Sequence, residues 1–350
     1  MLVRDIFVIL SIMTEQEVSP ENVFLKAVFN PRNWEIYSSR IKILSSPDPE
    51  YWHSVDFPVE LSLELTNHCN LRCVMCPVPN LKRTRGFMDE TLVKRVIADI
   101  AEESGFLFLP QGFGESLLHK QYGQLLRLAK MSGIHPVVVL TNGMLLDTEH
   151  ISTLIDTADV IIVTIDGITA KTYESIRVKG KFETVTGNVE HFLRVRGDKN
   201  GPRLILRIIR MKETEAEVEE FRTFWSAKIG GCDLIQVAGF NDWTGSVIRR
   251  GAEGGRHERD RHPCRMLWKN LTVYHDGRVS PCCYDAEGEL IVGERGPKPK
   301  CIPTFPELTC HSVEDFHVLN TRDMQRYTFV AILAGGAIWA AAHFVGNFGQ

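Results

Sequence analysis

Cys69, Cys73 and Cys76 stand in the spacing C-x3-C-x2-C, within the stretch VELSLELTNHCNLRCVMCP that covers residues 59–77. Three thiolates on one short loop lie close together, and soft sulfur suits iron, so they can hold three corners of a cubane [4Fe–4S] cluster. The fourth iron is then left without a protein ligand. That open corner is useful, because a small molecule can chelate it and take an electron from the cluster. Two plainer readings compete. A zinc site normally pairs C-x2-4-C with a second pair, and no nearby His or Cys pair completes one here. Buried structural thiols are the other, but Asn70, Arg72 and Pro77 interleave the cysteines and mark a loop.

The elements around this loop alternate strand and helix. An apolar run enters it from residue 59, and residues 88–103 follow with apolar positions at helical spacing and Asp89 as a candidate N-cap. Strands are expected at 106–111, 135–141, 159–166, 203–210 and 233–240. Helices are expected at 117–131, 147–156, 170–176, 182–196 and 213–227. Continuous Val, Ile and Leu runs are what strands buried on both faces look like. The fold class is therefore α/β, a partial (β/α)6 barrel of the TIM type, in which strand C-terminal ends carry the chemistry. Upstream, residues 22–37 read as a short helix broken at Pro31, and SSPDPEYW reads as a linker. Cys232, at the start of the sixth strand, reads as a small buried hydrophobe.

Three turns at successive strand ends hold the polar residues best placed to meet a ligand. Gly112-Phe113-Gly114-Glu115 follows the second strand, Thr141-Asn142-Gly143 ends the third, and Thr164-x-Asp166-Gly167 ends the fourth. Each alone is ordinary strand-end or Asx-turn chemistry, but three in sequence downstream of the cysteines point to a ligand. The cysteine spacing together with these turns resembles the radical S-adenosylmethionine (SAM) superfamily. The resemblance implies that Cys69, Cys73 and Cys76 bind a [4Fe–4S] cluster whose open iron takes the amino and carboxylate groups of SAM. Reductive cleavage then gives methionine and a 5′-deoxyadenosyl radical that abstracts a substrate hydrogen. It further implies that Gly114 and Glu115 hold the SAM amino end, that Met75 packs on adenine, and that Asn142 and Asp166 lie near the ribose. Arg207 or Arg210 is a candidate partner for the SAM carboxylate.

Beyond residue 240 the character changes. Residues 241–262 are a Gly-, Arg- and Glu-rich linker, after which two alternating runs flank His275-Asp276-Gly277-Arg278, a strong hairpin signal. Cys264 precedes the hairpin and Cys282-Cys283 closes it. This resembles the start of a SPASM or twitch module, and the resemblance implies Cys264, Cys282 and Cys283 as ligands of a second iron–sulfur cluster. The closing Cys-x-x-Cys of that pattern is absent, which leaves Cys301 and Cys310 as the late thiols. The expected organisation is an N-terminal extension at 1–58, the barrel at 59–240, the linker at 241–262, a small SPASM/twitch-like module at 263–328 and an apolar tail at 329–350. A packed tail is favoured over a transmembrane helix, because Gly335-Gly336, His343 and Asn347 interrupt it.

Composition sets the partners. With 40 basic against 44 acidic residues the net charge is −4, which gives no electrostatic footprint for nucleic acid. Nine cysteines in tight clusters suit metal binding in a reducing compartment, so the expected location is cytoplasmic. The expected partners are a peptide or small-molecule substrate and a flavodoxin- or ferredoxin-type electron donor. The competing function is a non-enzymatic iron–sulfur electron carrier or scaffold.

Overall fold

The computed structural model describes residues 24–197, 201–241 and 266–294. Six parallel strands appear in chain order: β1 (Glu60–Leu63), β2 (Leu107–Leu109), β3 (Val138–Thr141), β4 (Val160–Thr164), β5 (Arg203–Arg210) and β6 (Leu234–Gly239). β1 pairs with β2, and β3, β4, β5 and β6 pair in sequence. A single parallel bridge, Phe108 to Val137, joins the two sets. This is the incomplete barrel that the apolar runs predict.

Alternation along each strand sorts residues into two layers. Leu61, Leu63, Phe108, Val139, Ile161, Val163, Leu204 and Leu206 face outward against α2 (Glu90–Ile100), α3 (Tyr122–Met131), α4 (Thr148–Thr157), α6 (Phe182–Arg196) and α7 (Val218–Ser226). Leu107, Leu109, Val138, Val160, Ile162 and Ile205 fill the lumen near the strand N-terminal ends. Phe24, Leu25, Phe29, Trp52 and α1 (Pro31–Leu44) pack against that lumen layer, so the N-terminal segment closes the barrel floor. Pro31 opens α1 and does not break it: a proline at the first helical position lacks only an N–H that no helix would use, and Asn30 caps the turn by accepting from Asn33 N at 2.9 Å. Asp89 caps α2 as expected, accepting from Thr91 N. The expected helices at 117–131 and 213–227 each begin as a 3-10 turn, Ser116–Leu118 and Glu215–Glu217, ahead of α3 and α7. Cys232 is exposed, because it lies in the Gly230-Gly231 turn ahead of β6 and not in the strand.

The hairpin is a direct extension of the barrel wall. β7 (Asn270–Val273) pairs in parallel with β1, with Glu60 opposite Asn270 and Leu63 opposite Val273. β8 (Arg278–Ser280) and β9 (Gly293–Glu294) follow antiparallel, giving the order β2-β1-β7-β8-β9. Glu64, just past β1, locks this arrangement. Its buried carboxylate accepts from both terminal nitrogens of Arg83, from His275 Nδ1 at 3.0 Å and from Phe113 N at 3.1 Å. Four separate segments therefore meet on one side chain. Arg83 in turn lies over the rings of Tyr274 and Phe113, 4.7 and 5.5 Å from their centroids. Among the described residues no helix is long and apolar enough to cross a membrane, and the apolar tail lies outside them.

Candidate active site

The cysteine loop runs across the strand C-terminal ends as an extended piece with its own alternation. Leu71, Cys73 and Met75 turn inward and are buried, while Arg72 and Val74 face out. Two backbone bonds dock the piece on the end of α5 (Ala170–Ile176): Arg72 N donates to Val178 O at 2.9 Å and Val74 N to Ile176 O at 3.0 Å. On the other side, Glu115 N donates to His68 O at 2.8 Å. Gly114 makes that approach possible. Its φ is +126°, and a Cβ there would sit 2.4 Å from Thr66 O and 2.7 Å from His68 O, both backbone atoms that cannot move aside. We expect Gly114→Ala to lower stability by more than about 2 kcal/mol in chemical denaturation. Gly187→Ala, inside α6 where an added Cβ meets nothing, is expected to be neutral or stabilising by up to about 1 kcal/mol. Equal losses at both glycines would contradict the close packing at the loop.

Cys69, Cys73, Cys76, Met75, Gly114, Glu115 and Asn142 all line one cavity above the lumen layer. It gives water-sized molecules about 160 Å³, many times what a single trapped water needs. The three cysteines are free of disulfides. Burial pushes the Cys69 thiol up to about 11 and the Cys76 thiol up to about 12, so in a metal-free protein these groups keep their protons. The nearby backbone N–H groups and Arg177 do not offset that penalty and a bound metal cation would, which fits a metal-thiolate site better than a reactive thiol. Among the described residues no three His, Cys, Asp or Glu side chains converge on one point as a mononuclear site requires. A cubane asks for less, because each of its three thiolates takes a different iron.

Glu115 and Asn142 form a clamp between the second and third strand ends. The Glu115 carboxylate accepts from Asn142 N at 2.8 Å, Thr141 Oγ1 at 2.9 Å and Leu117 N at 3.4 Å. Burial still raises it above the usual carboxylate range, so these donors do not fully compensate its lost hydration. Asn142 Nδ2 donates to Asn70 Oδ1 at 2.8 Å and lies 3.9 Å from Cys69 Sγ, tying the third strand end to the loop. Met75 packs with Leu71, Ile176 and Met211 behind the cysteines.

Asp166 departs from expectation. It is fully buried, does not line the cavity, and spends its carboxylate on Arg177 Nε at 2.7 Å and Ile209 N at 2.7 Å. The residue it positions is Arg177, which does line the cavity and brings Nη1 to 3.4 Å from Cys73 Sγ. Burial opposes the charge on Arg177, but Asp166 and Cys73 outweigh it and hold the guanidinium charged. Sequence reading missed this arginine, whose one signal is its place at the end of the helix that follows Asp166-Gly167. The two arginines it did single out separate cleanly. Arg207 is buried and lines the cavity, whereas Arg210 is exposed and pairs with Glu215 at 3.0 Å. In the hairpin, Cys283 is buried and lines a small second cavity with Ser62, Asn270 and Thr272, while Cys282 is half-buried with its N–H on Ser280 Oγ. The adjacent thiols thus occupy different surroundings. Cys264, Cys301 and Cys310 lie outside the described residues.

Residues 63–224 match the model of the radical SAM superfamily, and residues 264–321 match that of SPASM, an iron–sulfur cluster-binding domain. Over 146 residues the chain is 30% identical to mycofactocin maturase MftC of Mycobacterium tuberculosis, covering 40% of this chain and 37% of that protein. It spans less than half the length of the curated relatives it matches. Among solved structures, anSMEcpe with bound AdoMet superposes with a TM-score of 0.55 at 14% identity, over 80% of this chain and 84% of that one. Streptococcus suis SuiB bound to precursor peptide SuiA gives a TM-score of 0.55 at 14% identity, over 71% and 65%. At such identities the likeness is one of fold, and it is the fold that brings the three cysteines to the strand C-terminal ends. The two matched segments identify residues 63–224 as a radical SAM domain and residues 264–321 as a SPASM domain.

Proposed function

We propose that this chain binds a [4Fe–4S] cluster through Cys69, Cys73 and Cys76 and uses it to cleave SAM reductively and abstract a hydrogen from a substrate. The observation that carries the reading is that the three thiols share one cavity with Glu115, Asn142 and Arg177, at the barrel end where such folds do chemistry. A cluster there supplies the electron, and the hard chemistry belongs to the cofactors. The chain's own residues bind and orient. Glu115, whose charge is under-compensated by its internal donors, gains from an ammonium group placed in the cavity. Arg177, beside Cys73, presents a cation to a carboxylate held at the same place. Gly114 lets the loop close on both, and Met75 and Phe240 offer apolar surface to a base. Asn142 lies within reach of the ribose, and Asp166 acts through Arg177.

The organisation that goes with this reading is a barrel at 59–240 and an iron–sulfur module at 263–328, with Cys264 and Cys282 as ligands of a second cluster and Cys283 as a third candidate. Similarity to a maturase and to the fold of a precursor-peptide complex favours a peptide substrate over a small molecule. A flavodoxin- or ferredoxin-type donor and a cytoplasmic location complete the proposal. A plain electron carrier has no use for a chamber of this size beside its cysteines, which disfavours that alternative.

Glu115→Ala tests the binding role. It is expected to weaken SAM by about 1.5–3 kcal/mol, read by equilibrium dialysis on reconstituted protein, with iron content unchanged. An unaltered SAM affinity would return Glu115 to the role of a strand-end clamp alone. Deuterium recovered in 5′-deoxyadenosine from labelled candidate peptides would then identify the substrate.

A further inference from the structure

Arg207 projects from the middle of β5 into the cavity and is 7% exposed. Its Nε donates to Gln236 Oε1 at 2.7 Å, a neutral acceptor. Among the described residues it makes no ion pair. The carboxylate that acts on it electrostatically, Asp166, is already engaged by Arg177 and Ile209 N. Thr164 on β4 and Gln236 on β6 are its direct register partners, so the guanidinium sits in an inward-facing row with a hydroxyl on one side and an amide on the other. Burial pushes its pKa down to about 10, because the attraction of Asp166 does not make up for the lost hydration. A buried guanidinium left in that condition calls for an anion.

The anion is not the carboxylate of SAM. In the reading above, the amino and carboxylate groups of SAM share one carbon and chelate one iron, so both must lie beside the cysteine loop. Arg177 touches that loop at Cys73, whereas Arg207 hydrogen-bonds to β6 and to none of the cysteines. Charge narrows the ligand further. Arg177 is paired with Asp166, and in the reading above Glu115 serves the SAM ammonium, which leaves Arg207 as the cation of the cavity that has no carboxylate of its own among the described residues. A monoanion neutralises it, while a dianionic phosphate would leave surplus negative charge in a poorly hydrated chamber.

We infer that Arg207, flanked by Thr164, is a substrate-recognition residue that binds a carboxylate of the substrate within the radical chamber. The inference rests on the proposed function for where SAM sits. Its test uses saturation-transfer NMR with propionate on the full-length reconstituted protein. Propionate is expected to bind, to be weakened about 10- to 100-fold by Arg207→Gln, and to be retained by Arg210→Gln. Arg207→Lys is expected to keep part of the binding, which separates loss of the fork from loss of the fold. Saturating SAM is expected to leave propionate in place. Displacement of propionate by SAM would overturn this inference while supporting the proposed function, whereas failure of SAM to bind at all would sink that function independently. An N-acetyl dipeptide acid compared with its C-terminal amide, and an amidated peptide carrying one Glu side chain, distinguish a terminal from a side-chain carboxylate. Inorganic phosphate binding as tightly as propionate would contradict the assignment.

Discussion

A Cys73→Ala protein is expected to fold normally and to lose about four irons per chain relative to the reconstituted parent. Cys73 is buried, but it sits on a loop pinned by backbone bonds at Arg72 and Val74, so removing one sulfur costs on the order of 1 kcal/mol. The effect on function is total, because the two remaining thiolates cannot hold a cubane against exchange. Arg177 adds a second signature: it loses its contact with Cys73 Sγ but keeps Asp166, so the barrel wall stays intact. Iron and sulfide analysis with visible absorption reads the loss, and thermal unfolding reads the fold. Iron content equal to the parent would contradict the ligand assignment, and a collapsed fold would mean the loop is part of the core.

The largest expected effect on stability belongs to Glu64. Replacing it with alanine leaves Arg83, whose side chain is 4% exposed, as a buried charge without its partner, and breaking such a pair from one side costs about 3–5 kcal/mol. It also frees His275 and Phe113 N, so the hairpin and the cavity turn should loosen together. Burial raises the Glu64 carboxyl, but hydrogen bonds from Arg83 and His275 outweigh it and the net shift is downward. A carboxyl whose folded value lies below its unfolded value stabilises fully above the unfolded value, about 4.3, and that contribution disappears as pH falls through the folded value. Acid unfolding of the parent should therefore steepen below about pH 4.3, and Glu64→Gln should flatten that limb. Urea titrations at neutral pH and at about pH 4 check both claims. A Glu64→Ala protein as stable as the parent would show that the four segments are held by something else.

Much of this was legible in the sequence because local patterns and the fold agree. The Val/Ile/Leu runs of β3, β4 and β5 announced strands buried on both faces, and the turns at Gly114, Asn142 and Asp166 fell at the C-terminal ends of β2, β3 and β4 as predicted. What stayed hidden depended on partners distant in sequence. Glu64 and His275 are 211 positions apart, and nothing in either neighbourhood announces that β7 pairs with β1. Asp166 looked like a ligand contact because its motif is local, but Arg177, eleven residues on, takes its carboxylate. Arg207 and Arg210 were indistinguishable by type, and an odd offset of three along a strand sends one inward and one outward. Pro31 misled because the same residue breaks a helix inside it and opens one at its first turn.

In the proposed reading, the cavity holding Cys69, Cys73 and Cys76 is a place where SAM is cut. Full-length protein, reconstituted anaerobically with iron and sulfide and reduced with dithionite, should convert SAM to 5′-deoxyadenosine and methionine in the absence of any substrate, and the Cys73→Ala protein should produce neither. A parent protein that assembles its cluster, accepts an electron and still returns SAM intact would show that the cavity does not cut SAM.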